Sequence, residues 1–399
     1  MPGPLDGVRV IDLTSMAAGP LATSVLADQG ADVLKVEPVE GGDPMRHWGT
    51  PGAGGMSAVF NTLNRGKRSL ALDLRHTEGL ALLERVVAGA DVFVQSFRPG
   101  VAQRLGFDEP HLRNRCPELI YVSINGFGET GPLAERRAYD SVVQAMAGFA
   151  SVQGETRADG RPQFVNNALC DKVTGLHVAQ AVSTALFARS RGAGGQHLRV
   201  SMLDAGVGFL WPDGMQRVTW IPDPDADATP PGPRARIPSV RETADGFLAV
   251  SARRDTEFAA LSQALGHEEW TRDPRFVDEA ARSANAEALT EVVDGVLRER
   301  TSTEWAQRLD AQQVAFAEIR PADEVHTAPQ VQANGLVIES DHPTQGRMRS
   351  PRPVVRFGEI PPELPSPAPE LGQHTEEVLE ALGIPSPQRR ALRKAGILV

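Results

Sequence analysis

Short apolar runs alternate with stretches in which apolar residues recur every three or four positions, and the alternation repeats through the first 125 residues. Residues 8–13 (Val-Arg-Val-Ile-Asp-Leu) read as a buried strand. Gly19-Pro20 then starts a helix, with proline at a tolerated first-turn position, and Gly30 ends it. Residues 31–37 form the next strand and residues 69–74 a third. A helix over 77–88 carries Leu80, Leu83 and Val87 on one face. Strands at 91–95 and 119–124 complete the series. Strands separated by helices imply right-handed crossovers and a parallel sheet.

Two further apolar helices are expected at 140–150 and 171–189. The composition then changes. Residues 211–240 contain Pro212, Pro222, Pro224, Pro230, Pro231, Pro233 and Pro238 and read as a long extended connector. A turn enters a strand over 243–250, and 255–312 is mostly helical, which suggests a smaller domain. A second proline-rich stretch at 351–368 precedes helices at 375–382 and near 387–394. The expected organisation is a large domain over 1–210 completed by 371–399, a linker at 211–240, a small domain at 241–325, and a second linker at 326–370.

The 399 residues are 41% hydrophobic and 23% charged, enough for a sizeable core. The formal net charge is −10, so a strongly basic nucleic-acid-binding face is not expected. All but four of the 41 basic residues are arginine, a side chain whose rigid fork suits phosphate. Two cysteines, Cys116 and Cys170, give no disulfide framework, and a reducing cytoplasm is expected. Residues 1–5 lack the basic and apolar regions of a secretory leader, and no apolar run is long enough for a membrane span. The nine histidines and two cysteines show no metal-ligand spacing, so no metal site is expected.

Four segments invite chemistry. Gly126-Phe-Gly128-Glu-Thr-Gly131 matches a dinucleotide-binding fingerprint, but Pro132 and a polar stretch follow it and it sits after the fifth strand, so a structural loop is the better reading. Ser96-Phe-Arg-Pro-Gly100 lies just past a strand's C-terminal end, where open parallel sheets bind ligands. Arg98 and Arg104 could hold phosphates there, or stand as solvated arginines beside a Pro-Gly turn. Arg136-Arg-Ala-Tyr139-Asp140 precedes a helix that Asp140 could cap. Asp171 closes Phe164-Val-Asn-Asn-Ala-Leu-Cys-Asp171 and opens a helix; it is either a cap or a carboxylate tuned by the helix N-terminus. Cys170 has no partner histidine and reads as a small buried residue.

Together these segments resemble the class III CoA-transferases, the family of formyl-CoA:oxalate and carnitine CoA-transferases. The resemblance spans almost the whole chain. It runs through residues 4–13, Ala18-Gly-Pro20, residues 30–37, Asn64-Arg-Gly-Lys-Arg-Ser69, Phe97-Arg-Pro-Gly100, residues 126–132, Thr243-Ala-Asp-Gly246 and Leu371-Gly-Gln-His-Thr-Glu-Glu-Val378. It implies an α/β fold class, with a doubly wound parallel-sheet large domain, a smaller α+β domain, and two chains interlocked as a homodimer. It implies Asp171 as a nucleophile that forms an acyl anhydride and then an aspartyl-CoA thioester. The CoA contacts it implies are Met16, Ala17 and Ala18; Leu72, Asp73 and Arg75; Ser96, Phe97, Arg98 and Arg104; and Arg137 and Tyr139. Coenzyme A enters as acyl-CoA substrate rather than as a permanently bound cofactor. The partners are an acyl-CoA donor and a carboxylic acid acceptor, with no nucleic acid and no membrane.

The family also holds racemases of 2-methylacyl-CoA esters, which pair the equivalent of Asp171 with a histidine in a His-Asp dipeptide. Here the dipeptide is Tyr139-Asp140, and a tyrosine, with a reference pKa near 10, is a poor second base. Transfer is therefore favoured over racemisation, and the remaining alternative is a CoA-binding relative without turnover. Two positions depart from the pattern. Pro38 stands where many relatives carry an arginine for the nucleotide. Ser251-Ala-Arg-Arg-Asp-Thr256 replaces a glycine-rich loop of the oxalate-type enzymes, which argues against oxalate as acceptor.

Overall fold

The structure, a computed structural model, describes residues 3–154, 159–221, 240–358 and 365–399. The chain divides into two compact units, Met1–Pro224 with Gly335–Val399, and Asp225–Asn334.

The first unit is built on strands β1 (Arg9–Leu13), β2 (Asp32–Glu37), β3 (Lys67–Ala71), β4 (Val92–Gln95), β5 (Ile120–Asn125) and β6 (His197–Ser201). They form one parallel sheet in the order 3-2-1-4-5-6. Between and after them run helices α1 (Ala18–Asp28), α2 (Ala58–Leu63), α3 (Thr77–Val87), α4 (Val101–Leu105), α5 (Glu109–Arg115), α6 (Asp140–Ala147), α7 (Phe149–Gly154), α8 (Leu169–Ala188), α9 (Met202–Gly214) and α10 (Gln216–Thr219). Successive strand residues point to opposite faces, so each strand feeds two cores. Val10, Val33, Val92, Val94, Ile120 and Val122 pack with Ala22 and Leu26 of α1 and Val178 and Val182 of α8. Ile11, Leu34, Leu70, Phe93 and Tyr121 pack on the other face with Leu82, Leu83 and Val86 of α3. Burial on both faces is why β4 and β5 read as largely apolar runs.

The second unit holds β7 (Val240–Glu242), β8 (Phe247–Ser251) and β9 (Ala315–Glu318) in one antiparallel sheet. Its helices α11 (Asp255–Leu265), α12 (Glu279–Ala284), α13 (Ala286–Leu297), α14 (Ser302–Ala311) and α15 (Pro329–Ala333) complete an α+β unit whose core includes Leu248, Phe258, Leu297, Trp305 and Leu309. After it the chain makes a hairpin, β10 (Val337–His342) with β11 (Gly346–Pro351), in the first unit. Helices α16 (Thr375–Ala381) and α17 (Ser386–Lys394) then cover the sheet, adding Val378, Leu379 and Leu392 to the α3-side core.

Several boundaries differ from the sequence expectation. The helix expected over 140–150 is broken into α6 and α7 at Gly148, whose φ of 95° no L side chain adopts easily. The helix expected from 171 begins two residues earlier, at Leu169. The expected connector at 211–240 begins as helix, since α9 continues through Pro212 to Gly214 and α10 follows; its residues 222–239 lie outside the described residues. The expected linker at 326–370 contains the β10–β11 hairpin. Local turn and proline content missed these elements because packing partners, not propensity, stabilise them.

Candidate active site

The strand order reverses between β1 and β4, and in open parallel sheets the crevice outside the strand ends at that point binds ligands. Past β1 the chain turns through Thr14–Ala17 into α1; past β4 it turns through Ser96–Gly100 into α4. Two cavities open there and share Ser15, Ser96 and Phe97 in their walls. The first, about 360 Å³, is lined by Met16, Ala18, Arg98, Arg136, Arg137, Tyr139, Asp140 and Asp171 among others. The second, about 490 Å³, is mainly apolar and is walled by Leu13, Val36, Pro38, Val39, Leu72, Asp73, Leu74, Arg75 and Leu105 among others.

Asp171 is the third residue of α8, inside the first turn. It is therefore not the helix cap; Ala168 holds that position, with no side-chain cap bond. Ala18, the first residue of α1, lines the same cavity as Asp171, and its N–H acts on the Asp171 carboxylate. The carboxylate thus receives the partial positive charge of one helix N-terminus while seated on another. Its pKa is nevertheless pushed up to about 6. Burial is the largest cause and the Asp140 carboxylate the second; the Ala18 N–H and Lys172 pull partly back.

Asp140 is the first residue of α6 and, like Asp171, does not cap its own helix. One oxygen, Oδ1, accepts the Asp171 backbone N–H at 3.1 Å, and Oδ2 accepts Gln144 Nε2 at 2.6 Å. Gln144 is buried; its Oε1 accepts the Val165 N–H at 2.9 Å, and its Nε2 donates to the carbonyls of Val165 and Asn167. The segment that leads into α8 is therefore clamped to α6 by one carboxylate and one amide. α1 lies close to α8 at Gly175, where a Cβ would meet the Ala18 carbonyl oxygen at 2.7 Å. Asp171 and Gly175 are four residues apart and share a helix face. Sequence reasoning missed Gln144 and Gly175, although the spacing Asp140-x-x-x-Gln144 already placed those two on one face.

The other expected contacts divide between the cavities. Met16, Ala18, Ser96, Phe97, Arg98, Arg137 and Tyr139 line the first. Leu72, Asp73 and Arg75 line the second, again with Ser96 and Phe97. Ala17 and Arg104 line neither: Ala17 is the N-cap of α1, and Arg104 is an exposed residue in the last turn of α4. Arg136 and Leu105 line a cavity without having been among the expected CoA contacts. Among the described residues, the side chains of Arg98, Arg136 and Arg137 have no ion-pair partner, whereas Arg75 is paired to Asp73 at 2.8 Å and to Glu40 at 3.3 Å. Cys170, fully buried beside Asp171, has its thiol pushed up to about 12 by burial and then by Asp140 and Asp171, so it is not a thiolate nucleophile. The Gly126–Gly131 loop leads into no helix; Gly128 N–H bonds Asn125 Oδ1 at 2.6 Å, and Gly126 lets Ala138 pack against the backbone.

Comparison with known proteins matches residues 5–375 to a family model described as CoA-transferase family III. A succinate–glutarate CoA-transferase of Agrobacterium fabrum is 34% identical over 95% of this chain and 96% of its own length. An acetyl-CoA:oxalate CoA-transferase of Acetobacter aceti is 35% identical over 93% of this chain and 94% of its own. The crystal structure of a CAIB/BAIF family protein from Brucella suis is 33% identical and superposes with a TM-score of 0.82, covering 96% of this chain and all of that one. With its six-stranded parallel sheet and a match running from β1's approach to α16, the chain belongs to CoA-transferase family III.

Proposed function

We propose that the protein is an acyl-CoA:carboxylate CoA-transferase that works through Asp171. The observation that carries this reading is the Asp171 carboxylate itself: part-buried in a cavity wall that Ala18 at the N-terminus of α1 also lines, and raised to about 6 so that it is basic yet ionised at neutral pH. An Asp171 oxygen attacks the thioester carbonyl, the C–S bond breaks, and a mixed anhydride and CoA thiolate result. The thiolate attacks the Asp171 carbonyl carbon and releases the donor acid, leaving an aspartyl-CoA thioester. An acceptor carboxylate attacks the same carbon and expels CoA thiolate, giving a second anhydride. The thiolate then attacks the new acyl carbonyl, forming the product thioester and freeing Asp171. No step consumes water, so the site must exclude it while an anhydride or thioester is present.

The second, apolar cavity is assigned to the nucleotide end of CoA, with Pro38 and Leu72 offering flat apolar surface and Arg75 a cation. The acyl end then lies in the first cavity beside Asp171 and Tyr139. Three unpaired guanidiniums around that cavity, and the succinate, glutarate and oxalate in the names of the relatives, support short dicarboxylic acids as acyl group and acceptor. Arg136 is assigned to the distal carboxylate. An interlocked homodimer is part of the reading, supported by exposed Leu176 and Phe187 on α8 and Phe209 and Trp211 on α9.

The test is chemical trapping. Enzyme incubated with succinyl-CoA and then hydroxylamine should carry a hydroxamate on Asp171 in peptide mass spectra. Active enzyme that leaves Asp171 unmodified would refute the mechanism. Light scattering should give twice the chain mass.

A further inference from the structure

Beneath the β1–α1 turn, six charged residues are each no more than 5% exposed: Asp12, Lys35, Glu37, Asp43, Arg46 and Lys67. Taking charges out of water is costly, and a cluster needed only to fill space is served as well by apolar residues. This cluster is directed at backbone. Lys67 Nζ reaches Asp12 at 3.0 Å and the Pro20 carbonyl at 3.0 Å. Lys35 Nζ reaches Asp43 at 2.9 Å and the Thr14 carbonyl at 2.8 Å. Asp43 Oδ1 accepts the Met16 N–H at 3.2 Å and the Met45 N–H at 3.0 Å.

Met16 has a φ of 68°, one of two non-glycine residues with positive φ among the described residues. Such a conformation costs free energy for a side chain without local hydrogen-bonding ability and persists only where its surroundings hold it. Two residues on is Ala18, which lines the first cavity with Asp171, packs against α8 at Gly175, and whose N–H acts on the Asp171 carboxylate. Every group facing the Asp43 carboxylate here is a donor: two backbone N–H groups on one oxygen and the Lys35 ammonium on the other. An asparagine would turn its own NH₂ toward a donor whichever way it faced.

We propose that Asp43 is a positioning residue for this active site: through the Met16 N–H it holds the β1–α1 turn in its left-handed bend, and that bend aims the Ala18 N–H at the Asp171 carboxylate. The inference rests on Asp171 being the nucleophile. Asp43 itself is fixed by Lys35 on β2, whose ammonium Asp12 and Glu37 also act on, and Lys67 on β3 is the further cation that acts on Asp43. The charged groups facing Asp171 are Asp140 on α6 and Lys172 on its own helix, with Arg98, Arg136 and Arg137 around the cavity.

Carbodiimide attacks protonated carboxyl groups, so the pH dependence of Asp171 labelling, followed by peptide mass spectrometry without acyl-CoA, reports its titration directly. In Asp43→Asn the labelling midpoint should move up by about half a pH unit or more as the Ala18 N–H is lost, and kcat should fall about tenfold. Adding Met16→Gly should return both toward the native values, because glycine adopts a positive φ unaided. A folded Asp43→Asn protein with native midpoint and kcat overturns the proposal, and so does a shift that Met16→Gly leaves untouched. If Asp43→Asn does not fold, Met16→Val with Asp43 intact gives the deciding measurement, since a β-branched residue resists positive φ. The same upward midpoint supports the proposal, and an unchanged one overturns it. Failure of acyl-CoA-dependent trapping in the native protein would instead count against Asp171 as nucleophile.

Discussion

Asp171 is costly to the fold in the ionised state that the proposed chemistry requires, and replacing it should show this. In the unfolded chain its carboxyl titrates near 3.8; in the fold it holds its proton to about 6. Below the lower value both states are protonated and the residue is neutral in its effect. Between the two values the unfolded chain loses its proton first, so stability falls as pH rises, and the loss is complete above the folded value. A shift of this size corresponds to about 3 kcal/mol at pH 7. Asp171→Asn carries no charge at any pH and keeps an oxygen for the Ala18 N–H. It should therefore abolish transfer while exceeding the native protein in stability by up to about 3 kcal/mol at pH 7–8. Urea unfolding followed by circular dichroism, repeated from pH 4 to pH 8, gives the comparison. The difference should be small at pH 4 and grow through pH 6. A gap that does not depend on pH, or a variant less stable than the native protein at pH 7, would refute the electrostatic argument.

Other perturbations test the surrounding geometry. Asp140→Asn keeps an acceptor for the Asp171 N–H but removes the neighbouring charge, so the acidic limb of the kcat profile should move to lower pH than in the native protein. Gly175→Ala places a methyl 2.7 Å from the Ala18 carbonyl and must push α1 from α8; thermal unfolding should show a loss of about 1–3 kcal/mol, and kcat should fall more than KM rises. Arg98→Met removes an unpaired guanidinium from the cavity wall; steady-state kinetics should give a KM for acyl-CoA raised about tenfold, with kcat nearly unchanged.

The sequence by itself determined the alternation of strand and helix, because apolar period and Gly or Pro punctuation are local properties. It located the five strands that precede Gly126 and the turn at Ser96–Gly100 to within a few residues, and through family resemblance it singled out Asp171. It left open whether Asp140 and Asp171 cap their own helices. Neither does; one carboxylate instead holds the other's N–H across 31 residues. The charges inside β1, β2 and β3 gave no local sign of their partners, because Asp12 meets Lys67 55 residues away and Met16 meets Asp43 27 residues away. The strand order 3-2-1-4-5-6 brings those positions together and opens the crevice between β1 and β4. Periodicity fixes which face a residue takes, but only the packed sheet decides which distant charge shares that face. The proposed nucleophile could therefore be named from the chain, while the environment that tunes its carboxylate exists only once α1, α6 and α8 have packed together.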